Sequence, residues 1–289
     1  MASTRQIKSR IRSVKSTKQI TKAMELVASS KMRRAQDATA ASRMYADTAR
    51  ELLTQLADLT DVKRYKFYAP RPVKTRLVIL ITSDRGLAGA YNANVLKKFS
   101  KMLKTDQENK VASQVLCIGR KGAQYVSRLK GVNVVGVYHT LPEHLTAQDV
   151  RPMLATATEL FLTGEVDAVD IVTTHFVNSL VQTAEALPLL PAGFDVTNQV
   201  SHNIKIATFE PSIETVLNGA TMRLLESQLY QAMLDANASE HSMRRVAMKN
   251  ATDNAGEIID DLTLEMNKVR QAAITQELSE ISAGVEAMK

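Results

Sequence analysis

The strand-like run Arg76–Thr82 leads into Ser83-Asp84-Arg85-Gly86-Leu87-Ala88-Gly89, a glycine-bearing turn of the kind that can cradle phosphate. The pattern is incomplete. A dinucleotide loop needs three glycines at fixed offsets, and a phosphate loop needs Lys followed by Ser or Thr after its last glycine. Gly119-Arg120-Lys121-Gly122 falls short in the same way. Both stretches read as tight turns after strands. Asp84, Arg85 and Gly86 are then candidates for a protein-docking turn. Metal chemistry is equally thin. His139, His144, His175, His202 and His241 are spaced without the His or Cys neighbours that hold zinc. Asp260-Asp261 is a carboxylate pair, but consecutive helical residues diverge and cannot share one acid–base task. No nucleophile elbow occurs. Cys117, the only cysteine, lies in an apolar run and reads as a small buried hydrophobe. It excludes an intrachain disulfide and fits a reducing compartment. The expectation is therefore no catalytic residue, no cofactor site and no metal ligand in this chain.

The elements that carry these turns follow from punctuation. Every proline lies between Pro70 and Pro211, and Met1–Ala69 also lacks glycine. Such unbroken ends read as two very long helices around a punctuated body. The expected parts are an N-terminal coiled-coil helix over 1–69, an α/β globular region over 70–210 and a C-terminal coiled-coil helix over 211–289, with Pro211 in its first turn. In the middle, strands are expected at Arg76–Thr82, Ser113–Ile118, Val132–Tyr138 and Ala168–Thr174. Helices are expected at Asn94–Leu103, Gly122–Leu129 and Asp149–Leu162. Leu180–Leu190 is ambiguous, Ile204–Phe209 is a possible last strand, and polar Lys104–Lys110 reads as a surface loop. This alternation implies a Rossmann-like body with a mostly parallel sheet.

Each arm carries a seam. Ile7, Val14, Thr21, Ala28, Ala35, Ser42, Ala49 and Leu56 fall at steps of seven, with a companion row three residues on through Arg10, Thr17, Met24 and Lys31. The second arm repeats this at Ala220, Ser227, Leu234, His241, Met248, Ala255, Leu262, Val269, Gln276 and Ala283, with Leu217, Leu224, Ala238, Ile259, Met266 and Ala273 beside it. Seams of small residues let two backbones approach closely. Arms leaving the same side of a body must run antiparallel, so a mutual antiparallel coiled coil is expected. The longer second arm would project beyond the first.

Charge narrows the partner. The net charge is +7, and ten of the eleven charged residues between Arg5 and Arg34 are basic, Glu25 being the exception. Such a helix suits an acidic surface. It leaves open a basic coiled-coil protein that binds nucleic acid, and the α/β body leaves open a dinucleotide enzyme with helical arms. No apolar stretch is long enough to span a bilayer, and the first residues lack the apolar core of a signal peptide.

Three stretches then coincide with one family. Ile7-Lys8-Ser9-Arg10-Ile11-Arg12-Ser13-Val14, Gln19 through Ala28, and Lys31-Met32-Arg33-Arg34-Ala35-Gln36 resemble the N-terminal signature of the γ subunit of F-type ATP synthases. Ser83-Asp84-Arg85-Gly86-Leu87 is similar to a second hallmark, and Ser239-Glu240-His241, Met248–Ala255 and Asn267–Leu278 to a third. The resemblance, to the bacterial type, implies a non-catalytic central rotor shaft. Its coiled coil would stand inside a hexamer of α and β subunits, with nucleotide chemistry left to β. It implies an ε subunit on the body and foot, a membrane ring of proton-carrying c subunits below, and a peripheral place on the cytoplasmic face of the bacterial membrane. It implies no nucleic-acid partner. By carry-over, Lys22, Met24, Arg270, Gln271, Thr275 and Glu277 are candidates for β-subunit contacts. Small and apolar residues near Ile281–Met288 would suit a bearing. Ala88 stands where many members have cysteine, and Arg244-Arg245 where Arg-Met is usual. The paired regulatory cysteines of plant chloroplast relatives cannot exist in a chain with Cys117 alone.

Overall fold

The computed structural model describes residues 4–59, 65–140, 142, 144–193 and 212–287. The elements, in order, are α1 (Thr4–Leu59), β1 (Thr75–Ile81), α2 (Tyr91–Glu108), β2 (Ala112–Ile118), α3 (Arg120–Val126), β3 (Asn133–Tyr138), α4 (Ala147–Thr163), β4 (Ala168–Phe176), β5 (Gln182–Leu190) and α5 (Ile213–Ala287). The punctuation-free ends are the two long helices, as their composition requires. Pro211 and Ile204–Phe209 lie outside the described residues.

The chain divides into two compact units, one of 1–29 with 244–289 and one of 30–243. In the larger unit the sheet runs β3-β2-β1-β4-β5. The first four strands pair in parallel, and β5 closes the edge antiparallel to β4. Leu180–Leu190 thus resolves into a hairpin partner, and the sheet is mostly parallel. Alternation sorts its residues. Leu77, Ile79, Ile81, Leu116, Ile118 and Ile171 face α4 and the Leu217–Ala236 stretch of α5. Val78, Leu80, Val115, Cys117 and Val172 face α2 and its neighbours. Burial pushes the Cys117 thiol up to about 11, so it stays protonated and inert, as its setting in the sequence suggests.

One reading is corrected. Lys104–Lys110 is not a loop over its length, because α2 continues through Glu108. Leu103 and Asp106 are buried beneath it, and Asp106 accepts from Arg76 Nε at 3.2 Å. Tertiary anchoring of two residues overrides a polar local composition. Arg76 also pairs with Asp170 of β4, so one guanidinium spans two carboxylates on the α2 side of the sheet.

The smaller unit is the antiparallel helical pair. Thr21 and Thr252 meet through their hydroxyls at 2.8 Å, and Lys18 Nζ lies 3.0 Å from where a Cβ on Gly256 would stand. Moving back along α1 moves forward along α5, which fixes the sense of the pair. The seven-step rows hold: Ile7, Thr21, Ala28, Met248 and Ala255 are buried. The companion row on α1 is not buried throughout: Arg10 and Thr17 are exposed and Met24 is half-buried, while at the first turn Ile11, four residues after Ile7, is the buried companion. On α5 the companions Ile259 and Met266 are half-buried, as their spacing predicts, whereas Ala273 of that row and Gln276 and Ala283 of the seven-step row are exposed.

A cysteine pair at Thr21 and Thr252 tests this register. Hydroxyls in contact put the two Cβ atoms near disulfide reach. Mild oxidation of the double variant is expected to give a crosslinked, faster-migrating chain, read on a non-reducing gel. A chain that stays open would count against the register.

Candidate contact surfaces

The flanks of the helical pair differ. On α1 the seam residues Thr21 and Ala28 face α5. Residues two apart on a helix project about 200° apart, so Lys22 and Met24 flank the seam on opposite sides. Lys22 belongs to an exposed basic row, Lys8, Lys15 and Lys22, at steps of seven. It pairs with Glu25 at 3.1 Å and remains 55 % exposed. Half-buried Met24 stands between exposed Ile20 and Val27, at the four- and three-residue steps of one helical stripe. Sequence reasoning named Met24 but missed its two neighbours, although their i, i+4, i+7 spacing was the available signal. One flank of α1 is basic and the other apolar.

Arg270, Gln271, Thr275 and Glu277 are all exposed on the last part of α5. They share roughly half the helix circumference with Ile274, Leu278 and Ile281, three exposed apolar residues at i, i+4 and i+7. Thr275 donates its hydroxyl to the Gln271 carbonyl at 3.0 Å, so its outward face is chiefly its methyl. The structure does not bring the two candidate groups together. Arg270 lies eighteen residues beyond Thr252, the partner of Thr21, which is about 27 Å along the axis. They form two separate surfaces at different heights. Residues 270–283 are exposed throughout, so among the described residues of this unit nothing packs against that part of α5.

The turn after β1 is a built structure. Asp84 accepts the Arg120 N–H through Oδ1 at 3.0 Å and the Thr140 N–H through Oδ2 at 2.9 Å. One carboxylate thereby ties together the turns that follow β1, β2 and β3. Asn92 bonds Ser83 through both its amide atoms, and the Ser83 hydroxyl donates to the Arg85 carbonyl at 2.7 Å. Arg85, Gly86 and Leu87 are held outward, with Leu87 exposed at φ 63°. Asp84 thus serves the fold, and the outward face belongs to the next three residues. The turn after β2 is equally tight. Gly119 has φ 94°, and the Gly122 N–H donates to Thr82 Oγ1 at 2.8 Å. That nitrogen is spent on the threonine.

The sequence profile of the family described as ATP synthase matches residues 3–288. The chain is 44% identical over 290 aligned positions to the "ATP synthase gamma chain" of Roseiflexus castenholzii, covering 100% of this chain and 99% of that protein. This chain belongs to the ATP synthase gamma chain family. The gamma chain of Roseiflexus sp. (strain RS-1) is similar at the same identity and coverage. Among solved structures, a chain of the Euglena gracilis mitochondrial ATP synthase (OSCP/F1/c-ring, rotational state 3) shares the fold. Its TM-score is 0.67 at 19% identity, over 99% of this chain and 94% of that one. A chain from the central stalk/c-ring of the Tetrahymena thermophila mitochondrial ATP synthase matches with TM-score 0.61 at 23% identity, over 80% and 99%. A gamma chain is the central-stalk subunit of an F-type ATP synthase and a non-catalytic part of it, and that is the role of this chain. It is a peripheral part of a membrane complex. Among the described residues, no helix is long and apolar enough to cross a membrane.

Proposed function

We infer that this gamma chain is the turning shaft of the complex, coupling ion flow through a membrane ring of c subunits to the β-subunit catalytic sites. The observation that carries the reading is the unpaired end of α5. A helix with Ile274, Leu278 and Ile281 outward and no partner among the described residues of its own unit suits an external sleeve. A hexamer of α and β subunits supplies one. Coupling requires that each surrounding subunit meet a different face as the shaft turns. The basic and apolar flanks of α1 provide two such faces. Lys22 would meet acidic β surfaces, where charge steers a contact without locking it. Met24 would slide along apolar ones.

Arg270, Gln271, Thr275 and Glu277 form the second contact with β, about 27 Å further along α5. The outward turn Arg85-Gly86-Leu87, held by Asp84, is the docking turn of the globular part. The ε subunit would join the body and foot, and the complex would place the chain at the cytoplasmic face of a bacterial inner membrane. The functional parts are the helix over 1–69, the α/β region over 70–210 and the helix over 211–289.

Arg270→Ala with Gln271→Ala tests the contact. Both residues are exposed, so the chain is expected to fold and to assemble normally. Loss of two central polar contacts removes about 1–2 kcal/mol or more of interface energy, so coupled ATP synthesis is expected to fall roughly tenfold. Ordinary synthesis rates in membranes carrying the double variant would sink the assignment.

A further inference from the structure

The helical layer on the α2 side of the sheet is strongly basic. From Tyr91 to Gly131, nine of the eleven charged residues are Lys or Arg. The two acids offset little of this. Asp106 is buried and already bound to Arg76. Glu108 stands 4.0 Å from Lys104 with both side chains largely in water, a contact that contributes little.

Helical angle places the cations of α2. Val95, Phe99 and Leu103 point into the core, and Lys97, Lys101 and Lys104 fall on the opposite side, exposed. The short helix α3 lies alongside, with the Tyr125 hydroxyl 2.8 Å from Ser100 Oγ of α2. Each of the two helices runs from the carboxyl end of one strand to the amino end of the next. Lys104 and Lys110 at the end of α2 therefore share one end of the sheet with exposed Arg128 and Lys130 after α3. Among the described residues, Lys97, Lys101, Lys110, Arg128 and Lys130 have no carboxylate within ion-pair distance.

The make-up of this face selects its partner. Five of its six exposed cations are lysines, compact hydrated charges that suit a diffuse negative surface. Arginine forks, which grip one fixed acceptor, are nearly missing. Tyr91 and Phe99 are buried and the Tyr125 hydroxyl is engaged, so no ring is presented for stacking on a base. Between Leu87 and Val134 no large hydrophobic side chain is exposed to anchor a docked protein. For a peripheral part of a membrane complex, the extended negative surface close by is the lipid headgroup layer.

We propose that this face meets anionic lipid headgroups, a contact held by charge alone while the complex remains the anchor. The headgroup layer is laterally uniform, so the contact has no fixed register and no single residue is indispensable to it.

The test uses the purified full chain with a fluorescent donor on Ser127→Cys, beside Arg128. Vesicles of equal phosphatidylglycerol and phosphatidylcholine carry an acceptor on the headgroup. Energy transfer is expected with these vesicles, is absent with phosphatidylcholine alone, and fades as added salt screens the charges. A donor on Ala155→Cys, exposed on α4 across the sheet, should transfer less. Each cation near such a surface changes partitioning about fivefold, so Lys104→Gln with Lys110→Gln and Lys130→Gln should weaken binding about a hundredfold. All three are exposed, so the fold is kept. Undiminished transfer in the triple variant overturns the assignment of this face, as does equal transfer from the two donor positions. Duplex DNA or polyglutamate that strips the chain from the vesicles at equal charge concentration overturns the choice of lipid.

Discussion

Alanine at Gly119 is expected to destabilise the larger unit by about 3 kcal/mol or more. A Cβ there would stand 2.1 Å from the Thr82 carbonyl oxygen, a backbone atom that cannot swing aside. The φ of 94° adds strain that only glycine avoids. The neighbourhood cannot yield cheaply. Thr82 Oγ1 is engaged at once by the Gly122 N–H and by the Ile118 carbonyl, to which it donates at 3.0 Å. Gly86→Ala is the matched control. Nothing lies within 4 Å of its added Cβ, so a change within about 0.5 kcal/mol is expected. Urea unfolding midpoints of the two variants, compared at equal slopes, measure the difference. Equal midpoints would show that the turn after β2 accommodates a Cβ at residue 119.

The second large effect is at Arg76. Leucine there removes the guanidinium that bridges Asp106 and Asp170, both nearly buried. Breaking a buried pair from one side leaves uncompensated charge and costs about 3–5 kcal/mol. Burial holds the Asp170 carboxyl above the usual carboxylate range, and the Arg76 hydrogen bond and charge oppose that rise only in part. A raised folded value means that this group favours folding at acid pH and loses that contribution as pH rises through the folded value. Removing Arg76 raises it further. The cost of Arg76→Leu should therefore be largest at neutral pH and shrink as pH falls toward the carboxylate range. Adding Asp170→Leu should recover part of the loss. A penalty that does not change with pH would show that charge burial is not its cause.

Much of this architecture was legible in residue spacing, for identifiable reasons. Long helices announce themselves by the absence of proline and glycine. The buried parallel strands announce themselves as short apolar runs such as Leu77–Ile81. Tertiary contacts decided the rest. The end of α2 looks like a loop until Asp106 finds Arg76 across the sheet. The second seam row of α1 depends on which side faces α5, and Arg10 and Ile11 look equally available until the partner is in place. At the candidate site, the family signature pointed to Lys22 and Met24, but their opposite placement around the seam is a matter of helical angle. Asp84 was legible as a member of a special turn. Its bonds to Arg120 and Thr140 come from turns 36 and 56 residues away, which no local pattern encodes.

A shaft that couples ion flow to catalysis has to turn inside the complex. Exposed Ser127 offers an attachment point on the globular part, and buried Cys117 will not compete for a thiol label. The direct measurement places a probe on Ser127→Cys in the assembled complex, fixes the catalytic subunits to a surface and supplies ATP. Continuous rotation of the probe in one direction, ceasing when ATP is withdrawn, is the expected result. A stationary probe on complexes that still hydrolyse ATP would contradict the shaft.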